Sequence, residues 1–412
     1  MTSSENNPGR GRAARSRPGW VGLGVASVVG VGLVGGAVYA SAHGGDEGHR
    51  SGNALVQEWS ARTAGQQVLG GVRTPGVPSV QRLRHGPVTF TVTVAPARPG
   101  PNLVRVDTSH AHGRSGPPVL VGTGEDDLVR AEPRPGTDGL WAVVDLPEGS
   151  GTVLVTHGPT HRLPFAVDTG LDDVDTTAWV GPDGAECLTT ATAAVLAGGA
   201  APQSCPSSGL HAGDADALRG VVDTLASRGV EEIAIEHDSS ARSLAAYDLV
   251  RSAATDAGVT VVGPDDTPGE RNALVVVGGW GAAARDLAEV SALPLHQQPI
   301  RSDGTWLAPW LLTPAVVDST AGAMFALDFD IRDPAAQEFS QTLGWYFPGQ
   351  SPTGSAYAAW RSARGGQPDP LSLYAASRAA IMPPMGGHEN HETTVAWFPG
   401  GTVTPVGSLS AS

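Results

Sequence analysis

The rhythm of apolar residues changes near Asp168, and that change limits what the chain can fold into more than any other feature. Before it, Val88, Phe90, Val92 and Val94 alternate with Thr89, Thr91 and Thr93, the period of a strand with one buried face. "LVRVD", "PVLVG", "GLWAVVDL", "GTVLVTH" and "LPFAVD" follow, divided by Gly, Pro and Asp, with no helical period between them. Short strands in that succession predict a small antiparallel β-sandwich over residues 82–168. After Asp168, strand-like and helix-like segments take turns. Leu218, Val221, Val222 and Leu225 share one helical face, with Asp214 as the expected cap and Gly229 as the stop. "EEIAIEHD", a helix from Ser240 to Ala257, "VTVVG", "ALVVVGG" and the helix "GAAARDLAEV" continue the alternation. Pro309 marks "TWLAPWLL" as an edge or broken strand, and Asp333-Pro334 opens the helix "AAQEFSQTLGWYF". The pattern predicts an α/β domain over 169–412 with a mainly parallel sheet, closed by a hairpin in "TTVAWFPGGTVTPVG".

The amino-terminal end sets the compartment. Residues 1–18 carry Arg10, Arg12, Arg15 and Arg17 against Glu5, the pattern of a cytoplasmic basic tail. Trp20 to Ala42 then runs without a charge, long enough to span a bilayer as a helix. A transmembrane anchor over 19–42 is the expectation. Ala40-Ser41-Ala42 also fits a signal-peptide cleavage pattern, which would make the protein secreted and leave His43 at its start. An α-amine next to its own imidazole chelates copper, so His43 matters only in that case. Residues 43–81, rich in Gly, Ser and Arg, read as a linker to extracytoplasmic domains. Every one of the 26 basic residues is arginine, and the net charge is −15. The tail is basic, so the remainder is more acidic still, which excludes a nucleic-acid partner. Cys187 and Cys205, the only cysteines, are expected to form a disulfide in an oxidising compartment.

The stretch "VEEIAIEHDSSARSLAAYDLVRSAATDAGVTVVG" resembles the strand–helix–strand that opens the second lobe of type I periplasmic solute-binding proteins, the branched-chain amino-acid receptor fold. "NALVVVGGWGAAARDLAEV" resembles the next unit of that family. "FDIRDPAAQEFSQTLGWYFPGQSPTGSAYAAW" resembles its aromatic-rich return towards the hinge, and "VAWFPGGTVTPVG" its last strands. The resemblance covers residues 210–412 and implies a periplasmic-binding-protein-like domain that holds a small molecule and serves a membrane transporter. It has one departure: only residues 170–210 precede the first clear strand–helix unit, so the first lobe is reduced or degenerate. The β-rich segment, through "GPVTFTVTVAPARPGPNLVRVD", more faintly resembles extracytoplasmic domains associated with copper resistance, which implies a copper-handling partner only where ligands exist.

Candidate site residues follow from position and chemistry. Ser239, Ser240, Arg242 and Ser243 lie at the carboxyl end of a strand, where open α/β sheets bind ligands, and in the resembled family the matching turn lines the cleft. A simple helix cap explains the same residues. Trp280 sits in Gly279-Trp280-Gly281-Ala282-Ala283-Ala284, which has the outline of a dinucleotide turn but lacks its context and reads as a tight βα turn, with Trp280 towards a cleft. Copper is the cofactor the remaining candidates would take. Met382, Met385, His388 and His391 combine thioethers with imidazoles, a donor set suited to copper, in "IMPPMGGHENHE". That stretch also reads as a stiff connection from the last helical part to the closing hairpin. His110 and His112 form a half-site on alternate positions, with His157 and His161 as further ligands, or they are ordinary loop histidines. The sequence contains no G-x-S-x-G elbow, Walker loop or C-x-x-C pair. The expectation is therefore a membrane-anchored extracytoplasmic binding protein for a small polar ligand, and not an enzyme. A copper-binding protein and a non-catalytic interaction scaffold are the alternatives.

Overall fold

The alternating stretch at Val88 forms a strand, and its neighbours on both sides do the same. The computed structural model describes residues 67–69, 74–85, 88–108, 117–158, 161–172, 174–347, 350–378, 397 and 401–409. All of them fall in one unit, Glu47–Ser412. The first nine strands are β1 (Gln67–Leu69), β2 (Ser79–His85), β3 (Val88–Ala95), β4 (Gly100–Thr108), β5 (Val119–Gly122), β6 (Val129–Arg130), β7 (Leu140–Leu146), β8 (Ser150–His157) and β9 (His161–Asp168). They make two sheets, in the orders β1-β2-β3-β4-β7 and β6-β5-β8-β9, with every pair antiparallel. Phe90, Val92 and Val104 from the first sheet and Val155, Leu163 and Phe165 from the second share one apolar cluster. β1 and the first residues of β2 lie within the segment expected to be linker, because Ser79–Arg84 has strand partners in Thr89–Val94.

One expectation for β3 is corrected. Its threonines were expected on a solvated face, yet Thr91 and Thr93 are buried like Val92 and Val94 beside them. The reason lies in β4, where Leu103 points into the core of the α/β domain and Val104 into the space between the sheets. Val80, Ala95 and Trp141 join Leu103 in that second core. The first sheet is therefore covered on both faces, one by its companion sheet and one by the α/β domain. Arg82 reinforces the contact by donating to the carbonyls of Trp345 (3.0 Å) and Tyr346 (2.6 Å).

The second half contains α1 (Thr177–Val180), α2 (Gly184–Leu196), α3 (Ala212–Ser227), β10 (Glu232–Glu236), α4 (Ala241–Asp256), β11 (Thr260–Val262), β12 (Asn272–Val276), α5 (Trp280–Ser291), β13 (Thr305–Leu307), α6 (Pro314–Val317), β14 (Ala323–Leu327), α7 (Pro334–Tyr346), α8 (Gly354–Ala363), β15 (Ser372–Arg378) and β16 (Gly401–Ser408). The strand order is β11-β10-β12-β13-β14-β15-β16, parallel through β14 and antiparallel for the last two. Every residue of β12 is buried, as are the three central residues of β10, which is the mark of a sheet covered on both faces. "TWLAPWLL" gives only the three residues of β13, in the middle of the sheet, because Pro309 lacks the N–H that a longer ladder needs; Pro309–Leu311 turns as a short 3-10 helix instead. α3 starts two residues before Asp214, so His211 takes the cap position and Asp214 falls in the first turn.

The Met/His stretch 381–392, which lies outside the described residues, comes after strand β15 and not after a helix, and β15 pairs with β16. Among the described residues no helix is long and apolar enough to cross a membrane. The basic tail, the expected anchor over 19–42 and His43 lie outside the described residues.

Candidate ligand-binding cleft

In a sheet with the order β11-β10-β12-β13-β14, the chain reverses direction between β10 and β12, and the carboxyl ends of those strands frame the crevice where such folds usually bind ligands. Here the crevice is filled by the chain itself. Asp238, just after β10, accepts from the N–H of Gly279 (2.7 Å) and of Ser240 (2.8 Å). Burial opposes its charge, but these bonds hold its carboxyl below the ordinary value. A Cβ at Gly279 would fall 2.2 Å from the Asp183 carboxylate, so a larger residue there would push that carboxylate aside. On top sits Gly136 of the β-rich half, at φ 79°, where a Cβ would lie 2.3 Å from the Trp280 carbonyl oxygen. The void beneath is about 20 Å³, room for a single water. Trp280, expected to face a cleft, is 3% exposed and donates its indole N–H to the Trp310 carbonyl (2.7 Å).

The open space lies to one side, past the carboxyl ends of β13 and β14. It is a cleft of about 620 Å³, within the range of small-molecule sites. Helices α2 and α8 pack against each other as one wall, the start of α3 forms another, and Trp310 and Phe329 contribute aromatic surface. The loop after α2 also lines this space. It is tied down by the Cys187–Cys205 disulfide, whose Cα atoms are 4.9 Å apart, and Cys205 itself lines the cleft. The expected cysteine pairing is thus present.

The floor is a buried ion pair. Arg242 donates through Nη1 to Glu186 Oε1 (2.8 Å) and through Nη2 to Oε2 (2.6 Å), with both side chains essentially without solvent. Ser355 of α8 donates to the same Oε1 (2.5 Å), and the guanidinium carbon stands 4.5 Å from the centre of the Trp310 ring. Trp310 in turn donates to the Gly278 carbonyl (2.8 Å). Burial works against the Arg242 charge, yet Glu186 raises its pKa above the ordinary value. The same surroundings also raise the pKa values of neighbouring acids. Burial and the negative charge of Glu186 raise Asp183 to about 6. Burial raises Asp214 to about 7, Arg242 opposing and Glu186 and Asp328 adding to the shift.

Of the residues expected from sequence, the structure brings Arg242 to the cleft. Ser240 caps α4, accepting from the Ser243 N–H at 3.3 Å; Ser243 is buried and accepts from the Asp238 N–H; Ser239 is exposed. Met382, Met385, His388, His391, His110 and His112 lie outside the described residues. His157 pairs with His161 in the β8–β9 backbone register, and its ring meets Phe90 edge-on at 5.5 Å. Among the described residues no three His, Cys, Asp or Glu side chains gather as metal ligands. Sequence reasoning missed Glu186, Thr190, Asp214 as a cleft residue, Trp310 and Ser355. Glu186 alone carried a signal, since it is the one charged residue between Asp183 and Asp214.

No family model matches the chain, and no curated protein matches it. Solved structures that overlap part of it are solute-binding proteins of ABC transporters. One, from Desulfitobacterium hafniense in complex with Leu, is 16% identical with a TM-score of 0.26, over 36% of this chain and 47% of that one. A second, from R. palustris in complex with benzoate, is 10% identical with a TM-score of 0.32, over 48% and 63%. A third, from Rhodopseudomonas palustris BisB5 in complex with 3,4-dihydroxy benzoic acid, is 15% identical with a TM-score of 0.32, over 47% and 64%. The chain thus spans about half to less than two thirds of the length of these solute-binding structures.

Proposed function

We propose that the chain is a non-catalytic binding protein, anchored through residues 19–42 on the outer side of a membrane, that holds a small polar molecule and presents it to a transporter. The observation that carries this reading is the cleft: about 620 Å³, at the carboxyl ends of parallel strands, walled by apolar side chains with a few converging polar groups. Its rigid floor suits binding, because a pre-organised site loses little order when a ligand enters. Of the expected site residues, Arg242 belongs to it, through the ion pair that shapes its floor.

Thermal unfolding of the full chain across a panel of small acids, amines, amino acids and sugars tests the proposal. A ligand at one hundred times its Kd stabilises by about 2.7 kcal/mol, which is readily seen. Ala359→Phe fills the cleft from α8, where Ala359 is half-buried, and is expected to abolish the shift while leaving the unliganded transition in place. A panel without any shift, or a shift unchanged by the filled cleft, would remove the basis for the reading.

A further inference from the structure

The charges around the cleft do not balance, and the imbalance identifies the class of ligand. Arg242 is matched by Glu186, and Arg361 by Asp328 at 2.6 Å. Asp214, in the first turn of α3 on the cleft wall, makes no hydrogen bond or ion pair among the described residues. On α2, Thr190 also lines the cleft and is 5% exposed; its hydroxyl oxygen is buried without a hydrogen-bond partner among the described residues. A buried threonine in a helix ordinarily bonds the carbonyl one turn back, as Thr189 does to Ala185 at 3.0 Å. The carboxylate lacks a hydrogen-bond donor, and the Thr190 hydroxyl, which can accept as well as donate, lacks any partner among the described residues.

We propose that the cleft binds a small organic cation, a protonated amine with a compact apolar body, whose ammonium group donates to Asp214 and Thr190 while the body lies against Trp310, Phe329 and Ala359. This rests on the cleft being the binding site. An ammonium offers up to three donors, enough for both groups. The uncapped amides at the start of α3 favour an anion. An anion there would nevertheless enter the field of Asp214, Glu186 and Asp328, with the Arg242 charge already matched. Charged groups facing Asp214 are Arg242 from α4, Glu186 from α2 and Asp328 from the end of β14, with His211 at the head of its own helix. Amine binding therefore displaces the proton that burial keeps on Asp214, and affinity rises about tenfold between pH 6 and pH 8.

Calorimetric titration of the full chain with benzylamine, benzyl alcohol and benzoate, three probes of one shape and different charge, decides the matter. The expected result is binding of benzylamine alone or at least tenfold tighter than the other two, strengthening from pH 6 to pH 8. Asp214→Asn removes a buried carboxyl without changing its shape, and is expected to weaken benzylamine at least tenfold and flatten its pH dependence. Thr190→Val is expected to weaken it severalfold with the pH dependence intact. Benzoate or benzyl alcohol binding as tightly as the amine overturns the cation assignment and leaves the cleft a binding site. Benzylamine binding equally to wild type and Asp214→Asn also overturns it. Absence of binding for all three at millimolar concentration overturns the assignment; the wider ligand panel then decides separately whether the cleft binds anything.

Discussion

Replacing Glu186 by Gln keeps the shape of the cleft floor and removes one charge. In the native protein the Glu186 carboxylate takes two bonds from Arg242, at 2.8 and 2.6 Å, and one from Ser355 at 2.5 Å, and neither charged side chain reaches solvent. Without Glu186, a guanidinium stays in the interior with its main counter-charge gone. Breaking a buried pair on one side costs about 3–5 kcal/mol. Asp183 and Asp214 modulate that figure. Both lie in the field of Arg242, and both are held protonated partly by the negative charge that the substitution removes. At pH 8 both are ionised and supply part of the missing charge, whereas at pH 5 both start out largely protonated. The full cost is therefore expected at pH 5 and a smaller one at pH 8. Urea unfolding followed by the fluorescence of the ten tryptophans, with the disulfide intact, measures it at each pH. The companion variant Glu186→Leu/Arg242→Met removes both charges and is expected to cost clearly less than the sum of its single changes. A cost below about 1 kcal/mol at both pH values would show that the pair is solvated. Simple additivity of the two changes would show that it is not a unit. Either result would refute the description of the floor.

Two further outcomes follow from the same region. Cys187→Ser/Cys205→Ser opens a loop closed over 18 residues, with an expected loss of about 3 kcal/mol in unfolding free energy, and weakens any cleft ligand because the loop lines the cleft. Asp183 and Asp214 have folded-state pKa values, about 6 and about 7, above their unfolded value. Each thus contributes stability that is complete below about pH 4 and is lost as pH rises through 6 to 7. Stability is expected to decline over that window, and Asp183→Asn/Asp214→Asn should flatten the decline in a series of urea titrations from pH 4 to 8.

Much of the fold was legible because periodicity is a local signal. The strands β3, β4, β5, β7, β8 and β9, and the units from α3 to α5, announced themselves by alternation or by helical spacing, whereas the two-residue β6 did not. Misreadings arose where a second layer intervened. Thr91 and Thr93 looked like a solvated face because sequence cannot show that another domain covers it. α2, rich in Ala and Thr, and β15, with "SLYAASR", lack a strong apolar stripe; packing and strand pairing define them instead. The cleft was the least visible part. Its groups come from α2, α3, α4, α8 and the ends of β13 and β14, and only folding brings those segments together. The turn at Ser239–Ser243 attracted notice for its chemistry, yet most of that chemistry is used in starting a helix.

Strand β4 carries a consequence for how the protein comes apart. Its Leu103 belongs to one hydrophobic core and its Val104 and Val106 to another. A cut at Asp168 would leave the first half with a bare apolar sheet face and the second with an uncovered Trp179 and Trp280. The two halves are thus separable on paper by their patterns but share one melting event, and neither is a module that could be moved intact to another chain. Whatever selects for the cleft also selects for the sheet that lies behind it.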